Sequence, residues 1–98
     1  MLNSNKEKMV LVDVRAPGEF KEEHIENAIN VDYFSTSFEE TLSQLPQEKM
    51  IVVYCKHGLR SKNTVKILKN MGYQKVFSMK GGIAEWKARG YPLEKIHD

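Results

Sequence analysis

The chain carries one cysteine, Cys55, and the residues that follow it are of the kinds that make a thiol reactive. A thiol attacks as its thiolate, and its pKa falls beside cations or at a helix N-terminus. Lys56, His57 and Arg60 follow Cys55 closely, and a helical pattern begins at about Ser61. The N–H groups and positive dipole end of that helix would face the sulfur. Gly58 permits a left-handed turn, so that the backbone N–H groups of residues 56 to 60 could converge as an anion-binding nest. Such a cradle would stabilise a thiolate or the terminal sulfur of a persulfide. The competing interpretation is a cysteine packed as a small hydrophobe at a strand end. That role requires neither a glycine nor a group of cationic residues ahead of a helix.

Short apolar runs alternate with helical patterns on either side of this segment. Met9-Val10-Leu11-Val12-Asp13-Val14 reads as a buried strand, and Pro17 to Glu23 as a short helix with proline in its first turn. Ala28-Ile29-Asn30-Val31 is a second strand. Ser37 and Glu40 form a capping-box pattern, with Phe38, Leu42 and Leu45 on one helical face and Pro46 as the stop. Met50-Ile51-Val52-Val53-Tyr54 is the most apolar run, a central strand that ends at Cys55. A helix is expected from about Ser61 to Met71 with Gly72 as its C′ residue, then a strand over Lys75 to Met79. Gly81-Gly82 turns the chain into a last helix carrying Ile83 and Trp86, ended by Gly90. This order predicts an α/β fold, a small doubly wound parallel sheet of about four strands with helices on both faces. In such sheets the site lies at the carboxyl ends of the strands, where Asp13 and Cys55 both fall.

Composition narrows the function classes. The 98 residues fit one domain, residues 1–98, too short for separate cofactor and catalytic domains. With 15 basic and 13 acidic residues, mixed along the chain, there is no basic patch for nucleic acid. No apolar run approaches the roughly 18 residues of a membrane span, and no apolar targeting segment opens the chain. One cysteine excludes an internal disulfide and a cysteine-based zinc site, so no metal is expected. A lone thiol without a signal peptide points to a reducing cytoplasm.

Four segments, in order, carry a family resemblance. Cys55-Lys56-His57-Gly58-Leu59-Arg60-Ser61 resembles the active-site loop C-x-x-G-x-R-S of rhodanese domains. Leu11-Val12-Asp13-Val14-Arg15, followed by Glu19-Phe20, resembles the D-V-R strand end of that family, and His24 to Asn30 its H-I-P-G-A-I-N segment. Gly81-Gly82-Ile83-Ala84-Glu85-Trp86 with Gly90-Tyr91-Pro92 resembles its closing G-G-x-x-x-W…G-x-P pattern. The resemblance covers about residues 9 to 93. It implies a thiosulfate sulfurtransferase-type enzyme in which Cys55 takes a sulfane sulfur from a donor such as thiosulfate and passes it to a thiophilic acceptor. On that reading Cys55 is the nucleophile, Lys56, His57, Gly58, Leu59 and Arg60 form the substrate loop, and Asp13, Arg15 and Ser61 support it. No cofactor is implied. The expected partners are a small anionic sulfur donor and a cyanide or thiol acceptor, protein thiols included, with the chain a monomer or weak homodimer.

The sequence departs from the family in two places. Glu26 and Asn27 replace the proline and glycine after His-Ile. Only twelve residues precede Asp13, so the family's first strand is expected to be missing, its first helix to be at most a turn, and a sheet edge to be exposed. Asp13 and Arg15 are expected to be structural, with Asp13 binding loop N–H groups and Arg15 pairing with Glu19. His24 is expected to be hydrogen-bonded or exposed, Trp86 to anchor the core, and Lys62, Lys66 and Lys69 to be solvated. Two further functions compete. Cysteine-dependent phosphatases and arsenate reductases use a C-x5-R loop with a catalytic acid. Here four residues separate Cys55 from Arg60, and no well-placed aspartate follows the loop. A sulfur-carrier or regulatory module with a specific protein partner would share the fold, which does not name the acceptor.

Overall fold

The computed structural model describes residues 9–96. Four strands form one parallel sheet in the order β2-β1-β3-β4, where β1 is Met9–Asp13, β2 Ile29–Asn30, β3 Met50–Tyr54 and β4 Val76–Ser78. Chain order runs outward to β2 from β1 and outward to β4 from β3. The neighbouring carboxyl ends of β1 and β3 are therefore the topological switch point at which doubly wound sheets place a site.

Strand residues alternate faces, so each strand feeds two cores. Val12, Val14, Ile51, Val53 and Cys55 join one cluster with Phe38, Leu42 and Leu68. These come from α2 (Phe38–Leu42) and α3 (Leu59–Asn70). Leu11 and Tyr54 face the other way and join Ile25 and Ile83. Ile83 comes from α4 (Gly82–Ala88); the remaining helix, α1 (Pro17–Glu22), contributes no buried residue. Two residues tie loops to these cores by hydrogen bonds across the chain. The buried Tyr54 hydroxyl accepts the Ile25 N–H at 3.0 Å, and the Tyr73 hydroxyl donates to the Leu42 and Leu45 carbonyls, fixing the end of α2.

The element order matches the sequence expectation, and the boundaries differ for identifiable reasons. Strand β2 is reduced to Ile29–Asn30. Helix α3 begins at Leu59, two residues before Ser61. Its N-cap is Gly58 at φ 118°, which gives no side-chain cap to announce the start. Its end follows the expectation, with Gly72 at φ 102°. Tyr73 N–H reaches the Leu68 carbonyl and Gly72 N–H the Lys69 carbonyl, which is a Schellman motif. The capping box at Ser37 does not form. Ser37 makes no cap bond and sits outside the extended region at φ −101°, ψ 20°. Its hydroxyl pairs with Ser35 Oγ at 3.0 Å, a nearer partner that wins over the helix N–H groups. At α1 half of such a box does form: Ala16 has no side-chain acceptor, but Glu19 Oε1 accepts the Ala16 N–H at 3.1 Å.

The expected loss of a strand and helix before β1 falls on residues 1–8, outside the described residues. Among the described residues β2 and β4 are the sheet edges. Each carries an exposed apolar side chain, Ile29 and Phe77. No helix among the described residues is long and apolar enough to cross a membrane.

Candidate active site

Cys55 follows β3 directly and is 2% exposed. Burial alone would raise the pKa of its thiol. Hydrogen bonds from the Ser61 N–H and hydroxyl and from the Gly58 and Arg60 N–H groups outweigh that effect, and the pKa falls below its ordinary value. Gly58 N–H lies 3.1 Å and Ser61 N–H 3.4 Å from Sγ. The Ser61 hydroxyl is 3.7 Å from Sγ, 3.0 Å from the Gly58 carbonyl and 2.7 Å from Ser78 Oγ. The expected nest therefore exists, shifted along the chain. Its donors are Gly58, Arg60 and Ser61, and the last two lie in the first turn of α3. The positive φ of Gly58 makes this possible by bending the loop back over the sulfur.

The expected cations divide into two groups. Lys56 and His57 are exposed on the loop. Arg60 is half-buried, with Nη1 3.7 Å from Glu19 Oε1 and its guanidinium 5.6 Å from the centre of the exposed Phe34 ring. A cation on an aromatic face is held in place while keeping its charge available to an anion. Leu59 is 83% exposed, an apolar residue on the rim with no role in holding the sulfur.

Asp13 and Arg15, at the end of β1, are buried and do not contact the thiol. Arg15 Nη2 binds Asp13 Oδ2 at 2.9 Å, and its Nε lies 3.1 Å from each Asp13 oxygen. Arg15 also donates its backbone N–H to Asp13 Oδ1 and a guanidinium N–H to the Glu23 carbonyl. Burial disfavours the charged guanidinium, yet the bonds to Asp13 prevail and its pKa is raised. The expected pairing of Arg15 with Glu19 is corrected: Arg15 lies before α1, so its chain runs back to Asp13, and Glu19 serves Ala16 and Arg60 instead. Asn30 adds a clamp from β2, its amide donating to the Asp13 and Arg15 carbonyls.

Three contributors were not legible as site residues in the sequence. Gly82, at φ 62°, lies so close to the loop that a Cβ would stand 2.4 Å from the Lys56 carbonyl oxygen and 2.5 Å from that of Cys55. That approach lets α4 pin the loop, with Ile83 N–H on the Cys55 carbonyl at 2.9 Å and Ala84 N–H on the Lys56 carbonyl at 3.0 Å. The Gly81-Gly82 pair is the available signal, a turn and part of the closing family pattern in the sequence, with nothing in either to tie it to the Cys55 loop. Phe34 and Ser78 gave no signal. His24 is buried, stacked on Phe20 with ring centroids 3.9 Å apart, its Nδ1 2.9 Å from the Phe20 carbonyl. Trp86 packs half-buried against the second core and donates to the Pro92 carbonyl at 2.8 Å. Lys62, Lys66 and Lys69 are exposed.

The arrangement can lower the cost of a negative sulfur at a buried position and draw an anion toward it. A family model described as Rhodanese-like domain matches residues 1–89. A protein of Coxiella burnetii called thiosulfate sulfurtransferase GlpE is 35% identical over 83 residues, which cover 85% of this chain and 76% of that one. A protein of Allochromatium vinosum called sulfurtransferase is 31% identical over 87 residues, 89% of this chain and 79% of that one. Among solved structures, a rhodanese-related protein from Thermoplasma volcanium superposes with a TM-score of 0.81 at 32% identity, covering 95% of this chain and 90% of that one.

Proposed function

The chain belongs to the rhodanese-like domain family, and from that premise we propose that it is a sulfurtransferase that carries sulfane sulfur as a Cys55 persulfide. The observation that supports this most is the buried thiol of Cys55 held by the Gly58 and Ser61 N–H groups. In the first step the Cys55 thiolate attacks the outer sulfur of thiosulfate. A Cys–S–S bond forms, the S–S bond of the donor breaks, and sulfite leaves with the electron pair. In the second step an acceptor such as cyanide or a thiolate attacks the outer sulfur of the persulfide. The Cys55 thiolate is the leaving group and returns to its cradle. This is covalent catalysis that divides one transfer into two displacements.

Each neighbour has a distinct part in this scheme. N–H groups already oriented at the sulfur stabilise the thiolate that starts the first step and leaves in the second. Arg60, held by Phe34 and by a single weak ion pair to Glu19, draws the dianionic donor to the loop mouth. Lys56 and His57 add exposed positive charge beside it, and Leu59 lines the path of the acceptor. Asp13 and Arg15 keep the switch point rigid and touch no substrate. The span from Cys55 to Arg60 is one residue shorter than a phosphatase loop, which favours a sulfur over a tetrahedral phosphate.

Formation of thiocyanate from thiosulfate and cyanide tests the proposal. Turnover is expected in the native chain and none above the uncatalysed rate in Cys55→Ser. Hydrolysis of an aryl phosphate without thiocyanate formation would overturn it.

A further inference from the structure

Among the described residues Ser61 alone meets the Cys55 sulfur through both its backbone N–H and its side chain. Its hydroxyl has one proton to give and three neighbours: the Cys55 sulfur, the Gly58 carbonyl and the Ser78 hydroxyl. The Gly58 carbonyl can only accept. A Ser61 proton donated to Ser78 is lost to the sulfur. A proton received from Ser78 leaves the Ser61 proton to the Gly58 carbonyl, to which it is donated at 3.0 Å, and to the sulfur, whose pull on it exceeds that of the carbonyl once the thiol has lost its own proton and carries a charge.

We propose that Ser78 is a positioning residue that acts on Cys55 through Ser61. Its hydroxyl, 2.7 Å from Ser61 Oγ, donates to that oxygen and directs the Ser61 proton to the thiolate. Strand register supports the assignment. Ser78 ends β4 opposite Val53 of β3, two residues before Cys55, so the sheet ladder sets its distance from the site. It is half-buried, close enough to the core to be ordered and open enough for its own oxygen to accept from water. Hydrogen bonds in such a chain reinforce one another when the terminal acceptor is charged. The effect is therefore larger on the thiolate than on the neutral thiol. It also acts on the Cys55 sulfur as it leaves the persulfide.

The inference rests on the proposed reactivity of Cys55, and alkylation separates the two because it needs no sulfur donor. The rate of Cys55 alkylation by iodoacetamide is measured against pH in the native chain, Ser78→Ala, Ser78→Thr, Ser61→Ala and the double variant Ser61→Ala/Ser78→Ala. The thiolate reacts and the thiol does not, so weaker stabilisation of the thiolate moves the profile to higher pH. The ionisable residues on the surrounding elements, Lys56 and His57 on the loop, Arg60 on α3, Asp13 and Arg15 after β1, Lys80 after β4 and Glu85 on α4, are kept in every variant. Below the midpoint Ser78→Ala is expected to react about threefold more slowly than the native chain, a fraction of a direct bond to a charged group. Ser78→Thr is expected to restore the native profile. In the Ser61→Ala background, loss of Ser78 is expected to change nothing further, because its effect passes through the missing hydroxyl. An unchanged profile in Ser78→Ala, or an equal shift with Ser61 absent, would overturn the assignment. If alkylation behaves as stated while thiosulfate loads no sulfur, the positioning role stands and the sulfurtransferase reading fails.

Discussion

The ends of β1 and β3 lie side by side at the switch point, and each carries ionisable groups, yet they are built in opposite ways. At the end of β1 a carboxylate and a guanidinium are both buried and bonded to each other, the guanidinium also donates to the Glu23 carbonyl, and Asn30 clamps the Asp13 and Arg15 backbone carbonyls. At the end of β3 the donors converge on a single ionisable sulfur with no buried cation beside it among the described residues, and the cations stand outside, on the loop and on Phe34. A closed pair gives rigidity. A cradle of N–H groups around an ionisable atom gives reactivity, because its stabilisation depends on the charge being present.

The largest effect separating the two ends is expected at Arg15. Removing it in Arg15→Ala leaves Asp13 buried and unpaired, which costs about 3–5 kcal/mol of folding stability in denaturant unfolding. Lys56→Ala, on the exposed loop, is expected to change stability by about 0.5 kcal/mol or less. A small loss at Arg15 would mean that the β1 end is not the closed structural pair described. Next comes the contact that holds the β3 end in shape. Gly82→Ala forces a Cβ into the Cys55 and Lys56 carbonyls and strains a positive φ. It is expected to cost about 1–3 kcal/mol and to slow Cys55 alkylation as the loop loosens. Unaltered alkylation in a folded Gly82→Ala would show that α4 does not set the loop. The smallest effect is at the rim: Arg60→Ala is expected to lower kcat/KM for thiosulfate about tenfold, mostly through KM, with a weaker dependence on salt than the native chain. A loss confined to kcat would move Arg60 from attracting the donor to the transfer itself.

The same comparison explains what was legible beforehand. The strand runs and the helix stop at Gly72 follow from local periodicity and backbone preference, which residues a few places apart encode. Cys55, Gly58 and Arg60 are also local, so the loop could be read as a unit. The start of α3 was hidden because its N-cap is a glycine, and the Ser37 cap was overread because Ser35 competes for the same hydroxyl. Arg15 and Glu19 are opposite charges four positions apart, but Arg15 precedes the helix and turns back to Asp13. Ser61 and Ser78 meet across 17 positions of sequence, and Gly82 meets the loop carbonyls only once α4 packs on β3. Such contacts belong to the assembled sheet; the Gly81-Gly82 pair marks a turn without naming its partner, and no local pattern announces the two serines.

The central claim is that Cys55 carries the transferred sulfur, and intact-mass spectrometry of the whole chain after incubation with thiosulfate tests it most directly. A gain of one sulfur atom is expected, removed by cyanide and absent in Cys55→Ser. An unchanged mass in the native chain, or the same gain in Cys55→Ser, would contradict it.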